Sequence, residues 1–208
     1  IYTSTPQRGL ALLVPVFVEL AKQNPNLHLD VFSSFSIYGW DQADERFKEL
    51  FNTCRSHPQI TYHGSQPNDV VREHLQRAHI FAYPSIWQEC NSRALIEAMS
   101  AGCICVHPNL AGLSDTSGSL TVSYQFDHDV NAHANKFYHL LANTIQSVHT
   151  DIFIKYLAFV KQYADTRFNI HKIARQWEDL LRDLKNRYPN VESRTPPKLG
   201  STWSYKTS

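Results

Sequence analysis

The sequence lacks the features that define several broad classes of protein. It contains no apolar run that approaches the roughly 20 residues of a membrane-spanning helix, and it does not open with the pattern of a secretory signal peptide. Its formal net charge is only +1, which provides no strong attraction to nucleic acid or to an acidic membrane surface. We therefore expect a cytoplasmic protein with no transmembrane segment and no nucleic-acid partner.

The sequence also lacks the spacing of a disulfide framework or a metal site. Its four cysteines, Cys54, Cys90, Cys103 and Cys105, form no C-x-x-C pair, and the last two are too close along one predicted strand to bridge without strain. We expect free, mostly buried thiols in a reducing compartment. The eleven histidines are dispersed, and His128, His133, His139 and His149 keep no ligand spacing with a carboxylate or cysteine, so no metal ion is expected.

The chain does contain a regular alternation of short apolar segments and helical periods. The segments that have the pattern of strands are 1–3, 27–32, 60–63, 80–83, 103–107 and 121–123. Helical patterns follow the first strand, Trp40 and residue 70, occupy 92–101 up to a closing Gly102, and dominate 130–187. This order predicts an α/β fold with a Rossmann-like, doubly wound parallel sheet.

The predicted domain occupies residues 1–187. From Tyr188 onward Pro, Ser, Thr and Lys dominate, so residues 188–208 are predicted to form a flexible C-terminal tail. The chain opens with Ile1 in a strand that is already under way, which suggests a piece of a longer protein. In a doubly wound sheet, ligands bind beyond the carboxyl ends of the strands, and this rule selects the loops after the first strand and after Tyr83.

The second of these loops leads into a helix whose start is suited to an anion. Asn91 or Ser92 is a good N-cap, which leaves the backbone N–H groups near Ser92, Arg93 and Ala94 free or nearly free. These donors, together with the helix dipole, would hold a diphosphate.

Two glutamates flank this helix start. Glu97 lies about a turn and a half into the helix, from where its carboxylate would reach paired ribose hydroxyls. Glu89 precedes the cap and would accept hydrogen bonds from sugar hydroxyls on the other side. Two glutamates at this spacing also fit an ordinary amphipathic helix with a surface glutamate at each end.

The surroundings of the two glutamates carry a more specific resemblance. Residues 84–102 resemble the E-x7-E signature of glycosyltransferase family 4, and weaker similarities to that family extend over most of residues 1–177. The supporting segments are the opening loop 3–10, the strand and glycine turn 60–64, the turn 111–115 and the closing helix 167–180. The resemblance implies the C-terminal, donor-binding half of a GT-B enzyme.

The resemblance further implies a retaining transfer of a hexose from a nucleoside diphosphate sugar to an acceptor that the sequence does not identify. No cofactor and no metal are expected. The N-terminal acceptor domain would lie in the same or another chain, so this chain alone is expected to bind donor and transfer little or nothing.

Without a metal, positive side chains must stabilise the leaving diphosphate. Arg8 stands where the family often has a lysine before glycine, and we predict that Arg8 and Glu89 are the catalytic residues, with Ser4 as a phosphate hydroxyl donor. The family's second cation has no counterpart, since Tyr2 or Thr3 stands near its place. Ser92 replaces a family glycine at a point where backbone approaches phosphate.

The nucleobase is expected near the loop after the third strand, around His63 and Gly64. The alternative for His63 is a turn histidine with no ligand role. The aromatic segment 35–40 could form a lid or pack in the core, and packing is the commoner arrangement.

Two other functional classes stay open. A non-catalytic Rossmann-like nucleotide-binding or assembly module would explain the missing cation and Ser92, and a sugar-nucleotide epimerase would share the architecture. The sequence does not favour a dehydrogenase, because the first turn lacks G-x-G-x-x-G and no acidic ribose reader follows it at the right distance.

Overall fold

The structure is a computed structural model that describes residues 1–188. The chain divides into two compact units, Ile1–Arg167 and Phe168–Ser208. The predicted tail, apart from Tyr188, lies outside the described residues. The predicted domain boundary at residue 187 therefore stays a prediction.

The first unit contains six strands and seven α-helices. The strands are β1 (Tyr2–Thr3), β2 (Leu29–Phe32), β3 (Ile60–Tyr62), β4 (Ile80–Ala82), β5 (Ile104–Pro108) and β6 (Val122–Tyr124). The helices are α1 (Leu10–Ala21), α2 (Lys48–Ser56), α3 (Asn68–Arg77), α4 (Arg93–Ala101), α5 (Leu113–Ser117), α6 (Val130–Ser147) and α7 (Asp151–Arg167). Short 3₁₀ turns occupy Pro6–Arg8, Phe35–Tyr38 and Asp41–Phe47.

The strands form two parallel halves that meet at β1 and β4. One half has the order β1-β2-β3 and the other β4-β5-β6. The Ile1 nitrogen donates to the Ile80 carbonyl at 2.8 Å, and the Ala82 N–H donates to the Ile1 carbonyl at 3.0 Å. The halves are thus joined in the order β3-β2-β1-β4-β5-β6, and the predicted doubly wound sheet is confirmed. Successive strands are added on one side of β1 up to β3 and on the other side from β4 onward. Folds of this kind bind ligands at the point between β1 and β4 where this order switches.

The central strands β1, β4 and β5 are mostly buried, as parallel strands usually are, whereas Thr61 of β3 and Ser123 of β6 are exposed. All five residues of β5 are buried. The largest fully buried side chains include Tyr2, Phe81, Tyr83 and Met99. Since Tyr2 and Tyr83 lie on or directly after the two central strands, the core extends to the edge of the sheet where the site forms.

The helix predicted after Trp40 begins differently from the expectation. Residues Asp41–Phe47 form a 3₁₀ turn with no buried residue, and the α-helix starts only at Lys48. Asp44 explains the difference, because its carboxylate accepts from the Phe35 N–H at 2.8 Å and from the Ser34 hydroxyl at 2.5 Å. These bonds hold the turn against the loop after β2.

The cysteines are free, as predicted: Cys54, Cys103 and Cys105 are buried, and Cys90 is exposed. No helix within residues 1–188 is both long enough and apolar enough to cross a membrane. The second unit contributes one described helix, α8 (Ile170–Arg187). Its N-cap is Asn169, whose side chain accepts from the Lys172 N–H at 3.1 Å.

Candidate functional site

A cleft of about 390 Å³ lies at the carboxyl ends of β1 to β4. Its walls come from the loops that follow these four strands and from the first two turns of α4. Most of the predicted site residues line this cleft, namely Ser4, Arg8, Gly64, Glu89, Asn91, Arg93, Ala94 and Glu97. Sequence positions that are about 90 residues apart therefore meet at the point where the sheet changes its winding direction.

The loops after β1 and β4 are joined by an ion pair. Arg8 Nη1 lies 3.0 Å from Glu89 Oε2, and the two side chains are 24% and 5% exposed. Burial acts to lower the pKa of Arg8, but the charge of Glu89 and the Tyr83 phenol outweigh it and raise that pKa overall. The guanidinium is thus held charged within the cleft wall.

The second oxygen of Glu89 is held by a tyrosine. The Tyr83 hydroxyl donates to Glu89 Oε1. Burial, and then the nearby carboxylate, raises the pKa of Tyr83 to about 12. Because Tyr83 stays protonated at neutral pH, its hydroxyl always carries a proton to donate to the Glu89 carboxylate and holds that carboxylate in place.

Two glycines allow the backbone around Glu89 to pack closely. A Cβ at Gly9 would lie 2.2 Å from the Pro84 carbonyl oxygen, and a Cβ at Gly112 would lie 2.2 Å from the Cys90 carbonyl oxygen. The Gly112 N–H also donates to the Glu89 carbonyl at 2.8 Å. The Glu89 loop is therefore clamped between the loop after β1 and the turn before α5, and only glycine fits at either contact.

The start of α4 has the predicted cap, and one of its three expected free donors is engaged. Ser92 is the N-cap, and its hydroxyl accepts from the Leu95 N–H at 3.4 Å. The Ser92 N–H is not free, because it donates to Thr116 Oγ1 at 3.4 Å. Neither the Arg93 nor the Ala94 N–H finds an acceptor within the described residues, and both residues line the cleft. The helix therefore presents two N–H groups to an anion.

Ser92 itself is buried and does not line the cleft. Its neighbour Asn91 does, and the Asn91 amide oxygen accepts from the Thr116 hydroxyl at 2.9 Å. The serine thus serves to start the helix, and the asparagine is oriented towards the cleft by a contact from α5.

Glu97 and Arg93 form a second, looser pair one helical turn apart. Arg93 Nε lies 3.6 Å from Glu97 Oε1, with Arg93 73% and Glu97 25% exposed. Each arginine that lines the cleft in the described part of the chain is therefore paired with a glutamate of the same cleft. An exposed pair of this kind is weak and opens easily when a ligand competes.

The two residues of the predicted base region are placed differently. Gly64 lines the cleft with φ of +68°. His63 does not, since its ring stacks on Phe32 at 4.2 Å between centroids and its Nε2 lies 2.6 Å from Asp30 Oδ1. The loop after β3 thus contributes Gly64 and the following residues, while the histidine side chain is engaged elsewhere.

Sequence reasoning missed several polar residues of the cleft. The clearest are Ser33 and Ser34, directly after β2, with Gln66 after β3. The rule about strand ends would have found the two serines had it been applied to every strand. Of the aromatic segment 35–40, Phe35 packs in the core as expected, whereas Tyr38 is half exposed and lines the cleft.

Some of these groups have no protein partner. Thr3 Oγ1, Ser33 Oγ and Arg8 Nε are buried atoms without a hydrogen-bond partner among the described residues, and all three residues line the cleft. Buried polar groups in native proteins are nearly always paired, so these three atoms leave hydrogen-bonding capacity unused beside the cleft.

Comparison with known proteins agrees with this geometry. The family model described as "Glycosyl transferases group 1" matches residues 2–143, which is well over half of the chain. The chain belongs to the group 1 glycosyl transferases. The match contains β1 to β6 and every residue of the cleft.

Three solved structures of similar fold are a glycosyltransferase, a sucrose-phosphate synthase and an O-GlcNAc transferase. A glycosyltransferase from Rickettsia africae superposes with a TM-score of 0.66 at 17% identity, covering 89% of this chain and 48% of the other. The sucrose-phosphate synthase from Thermosynechococcus elongatus gives 0.64 at 21% identity, covering 89% and 46%. The pneumococcal O-GlcNAc transferase GtfA, in complex with UDP and GlcNAc, gives 0.62 at 15% identity, covering 88% and 35%.

At these identities the likeness establishes the fold alone, which is the Rossmann-like α/β fold of GT-B glycosyltransferases. This group 1 glycosyl transferase chain spans about half the length of the first of these structures. A search of curated proteins found no match.

Proposed function

We propose that the chain is the donor-binding domain of a retaining glycosyltransferase, and that a nucleoside diphosphate sugar binds in the cleft between the loops after β1 and β4. The observation that carries this proposal is the partly buried Arg8–Glu89 pair beside the free N–H groups of α4. A cation and helix N–H donors at one point suit a diphosphate, and a fixed carboxylate beside them suits sugar hydroxyls.

In this proposal, different residues bind the diphosphate, the ribose and the hexose of the nucleoside diphosphate sugar. The Arg93 and Ala94 N–H groups and the Arg8 guanidinium hold the diphosphate, with the Ser4 hydroxyl as a further donor. Glu97 turns from Arg93 to accept from paired ribose hydroxyls. Glu89 retains free lone pairs after accepting from Tyr83 and Arg8, because a carboxylate offers about four acceptor positions, and it binds the hexose.

Arg8 is the residue that acts in the transfer itself. As the bond to the sugar breaks, negative charge accumulates on the leaving diphosphate, and a guanidinium already held in place stabilises that charge at little cost in reorganisation. We propose that no metal ion takes part. The acceptor would be bound by a second domain, because the chain spans about half the length of the solved enzymes it resembles.

Calorimetric titration with UDP, GDP, ADP and their common sugar conjugates tests donor binding. We expect one nucleotide series to bind at about micromolar Kd, near −8 kcal/mol. Glu97→Gln should weaken that binding about 10- to 100-fold, since it converts charged hydrogen bonds to neutral ones.

Glu73→Gln is the matched control. Glu73 is an exposed helical glutamate paired with an arginine four residues away, as Glu97 is, but it does not line the cleft. The proposal fails if no nucleotide binds, or if both variants weaken binding equally.

A second candidate, a non-catalytic nucleotide-binding module, is favoured by the pairing of both cleft arginines with glutamates. Such pairing leaves the described cleft wall without a net positive charge to stabilise a leaving diphosphate. Nucleotide affinity that is unchanged by Arg8→Gln and Glu97→Gln would favour this candidate. Measurable sugar transfer by the isolated chain would exclude it, and would also contradict the need for a second domain.

A further inference from the structure

Three possible metal ligands converge outside the donor cleft, and each comes from a different element. Asp30 lies in β2, His63 follows β3 directly, and His74 lies in α3. His63 Nε2 is 2.6 Å from Asp30 Oδ1, and His74 Nδ1 is 3.4 Å from Asp30 Oδ2. One ligand atom from each of the three lies within 4.8 Å of the other two.

This spacing suits a tetrahedral ion. Zinc binds nitrogen and oxygen ligands at about 2.0–2.1 Å, so neighbouring ligand atoms of a tetrahedral site are about 3.3 Å apart. The two nitrogen–oxygen distances, 2.6 Å and 3.4 Å, lie on either side of that separation, and the two histidine ligand atoms lie within 4.8 Å of each other. Two imidazoles and one carboxylate form a borderline ligand set, which suits Zn²⁺ better than Mg²⁺ or Ca²⁺.

The rings are held in place by the protein around them. Phe32 stacks on His63 at 4.2 Å and meets His74 edge-on at 5.0 Å. The His63 N–H of the backbone donates to the Val31 carbonyl at 2.9 Å, which ties the histidine to β2. A set of ligands that is oriented before the ion arrives loses less entropy on binding.

The cluster is also accessible. The side chains of Asp30, His63 and His74 are 26%, 18% and 24% exposed. Asp30 and His74 line a second cleft of about 450 Å³, which the donor residues do not share. A fourth ligand such as water can therefore reach an ion bound there.

We propose that Asp30, His63 and His74 form a binding site for one Zn²⁺ ion, with the fourth position open to water. Two neutral imidazoles and one carboxylate carry a charge of −1, so the bound ion leaves a net charge of +1 at the edge of the second cleft. None of the three side chains lines the donor cleft, so this proposal is independent of nucleotide binding.

Zinc titration of the metal-free, tag-free protein by calorimetry tests the proposal, with His63→Gln and His74→Gln as the ligand variants. We expect one Zn²⁺ per chain in the wild type and a loss of affinity of about tenfold or more in each variant. His28→Gln is the matched control. His28 lines the same cleft but bonds Thr61 Oγ1 at 2.9 Å and is outside the cluster, so this variant should bind as the wild type does.

A second measurement uses only the wild-type protein, so its result does not depend on whether the variants fold. With Co²⁺ as the probe, two ligating histidines give two paramagnetically shifted, exchangeable imidazole N–H signals in the proton NMR spectrum. The proposal is overturned if wild-type Zn²⁺ binding is not saturable at one ion per chain, if the His28 and His74 variants lose affinity equally, or if Co²⁺ produces no shifted imidazole signals.

Discussion

Gly9 lies against Pro84, with φ of +121° and room for no side chain, since a Cβ there would be 2.2 Å from the Pro84 carbonyl oxygen. The contact joins the loop after β1 to the loop after β4. It therefore sets the distance between Arg8, which precedes Gly9, and Glu89, which follows Pro84 by five residues.

Gly9→Ala should be strongly destabilising. The substitution combines an unfavourable φ, at about 1–2 kcal/mol, with a backbone clash that costs about 1–3 kcal/mol more. Chemical denaturation is the measurement, and Gly39→Ala is the control. Gly39 also has a positive φ, of +71°, but nothing lies within 4 Å of its added Cβ. Equal losses in the two variants would contradict the close contact.

The Arg8–Glu89 pair should show energetic coupling. Removing either partner leaves the other charge in a largely buried position, whereas removing both does not. A double-mutant cycle of Arg8→Met and Glu89→Gln, followed by urea unfolding, should give a coupling of about 1–3 kcal/mol. Coupling within about 0.3 kcal/mol of zero would mean that the pair is absent in solution.

Cys90 should be the fast-reacting thiol of the native chain. It is exposed, whereas Cys54, Cys103 and Cys105 are buried. Burial also raises the pKa of Cys54 and of Cys103 to about 11, which reduces their thiolate fraction. A thiol-specific colorimetric reagent at pH 8 should modify one cysteine quickly, and four after denaturation. Cys90→Ser should remove the fast phase, and two or more fast thiols in the wild type would contradict the packing.

Stability should fall as the pH drops below about 6.5, the usual pKa of histidine. His107 is fully buried in β5, with Nδ1 at 2.8 Å from the Pro108 carbonyl and Nε2 at 2.6 Å from Thr121 Oγ1. Burial lowers its pKa in the folded state, so the unfolded chain binds more protons below that pH and folding is disfavoured.

Urea unfolding at pH 7.5, 6.5 and 5.5 tests whether the free energy of unfolding falls as the pH falls. The wild type should lose stability with a slope of up to about 1.4 kcal/mol per pH unit from this one group, and His107→Gln should reduce the slope by that amount while lowering stability at every pH. An unchanged slope in the variant would exclude His107 as the source. His133, whose pKa is also lowered by burial, contributes in the same direction.

Local chemistry in the chain was sufficient to predict the α4 segment. Ser92 begins the helix and Gly102 ends it in the left-handed conformation, because a hydroxyl N-cap and a glycine C-cap act within four residues. The prediction of a helix directly after Trp40 was wrong at residues 41–47, because a local pattern does not include contacts with residues outside the segment. The apolar spacing there suggested a helix, but Asp44 bonds back to the loop after β2, ten residues away, and holds a 3₁₀ turn instead.

By itself, the sequence determined the alternation of strands and helices, the α/β class and the candidate residues of the two loops, since periodicity and capping depend on neighbours along the chain. Only the tertiary structure decided that Arg8 pairs with Glu89, that Tyr83 holds the same carboxylate, and that His63 turns to Asp30 and His74 instead of the cleft. Those relationships join residues 6 to 81 positions apart through the packing of different strands and helices. They arise from the register and close approach of β1 to β4 and α3, which no local pattern specifies.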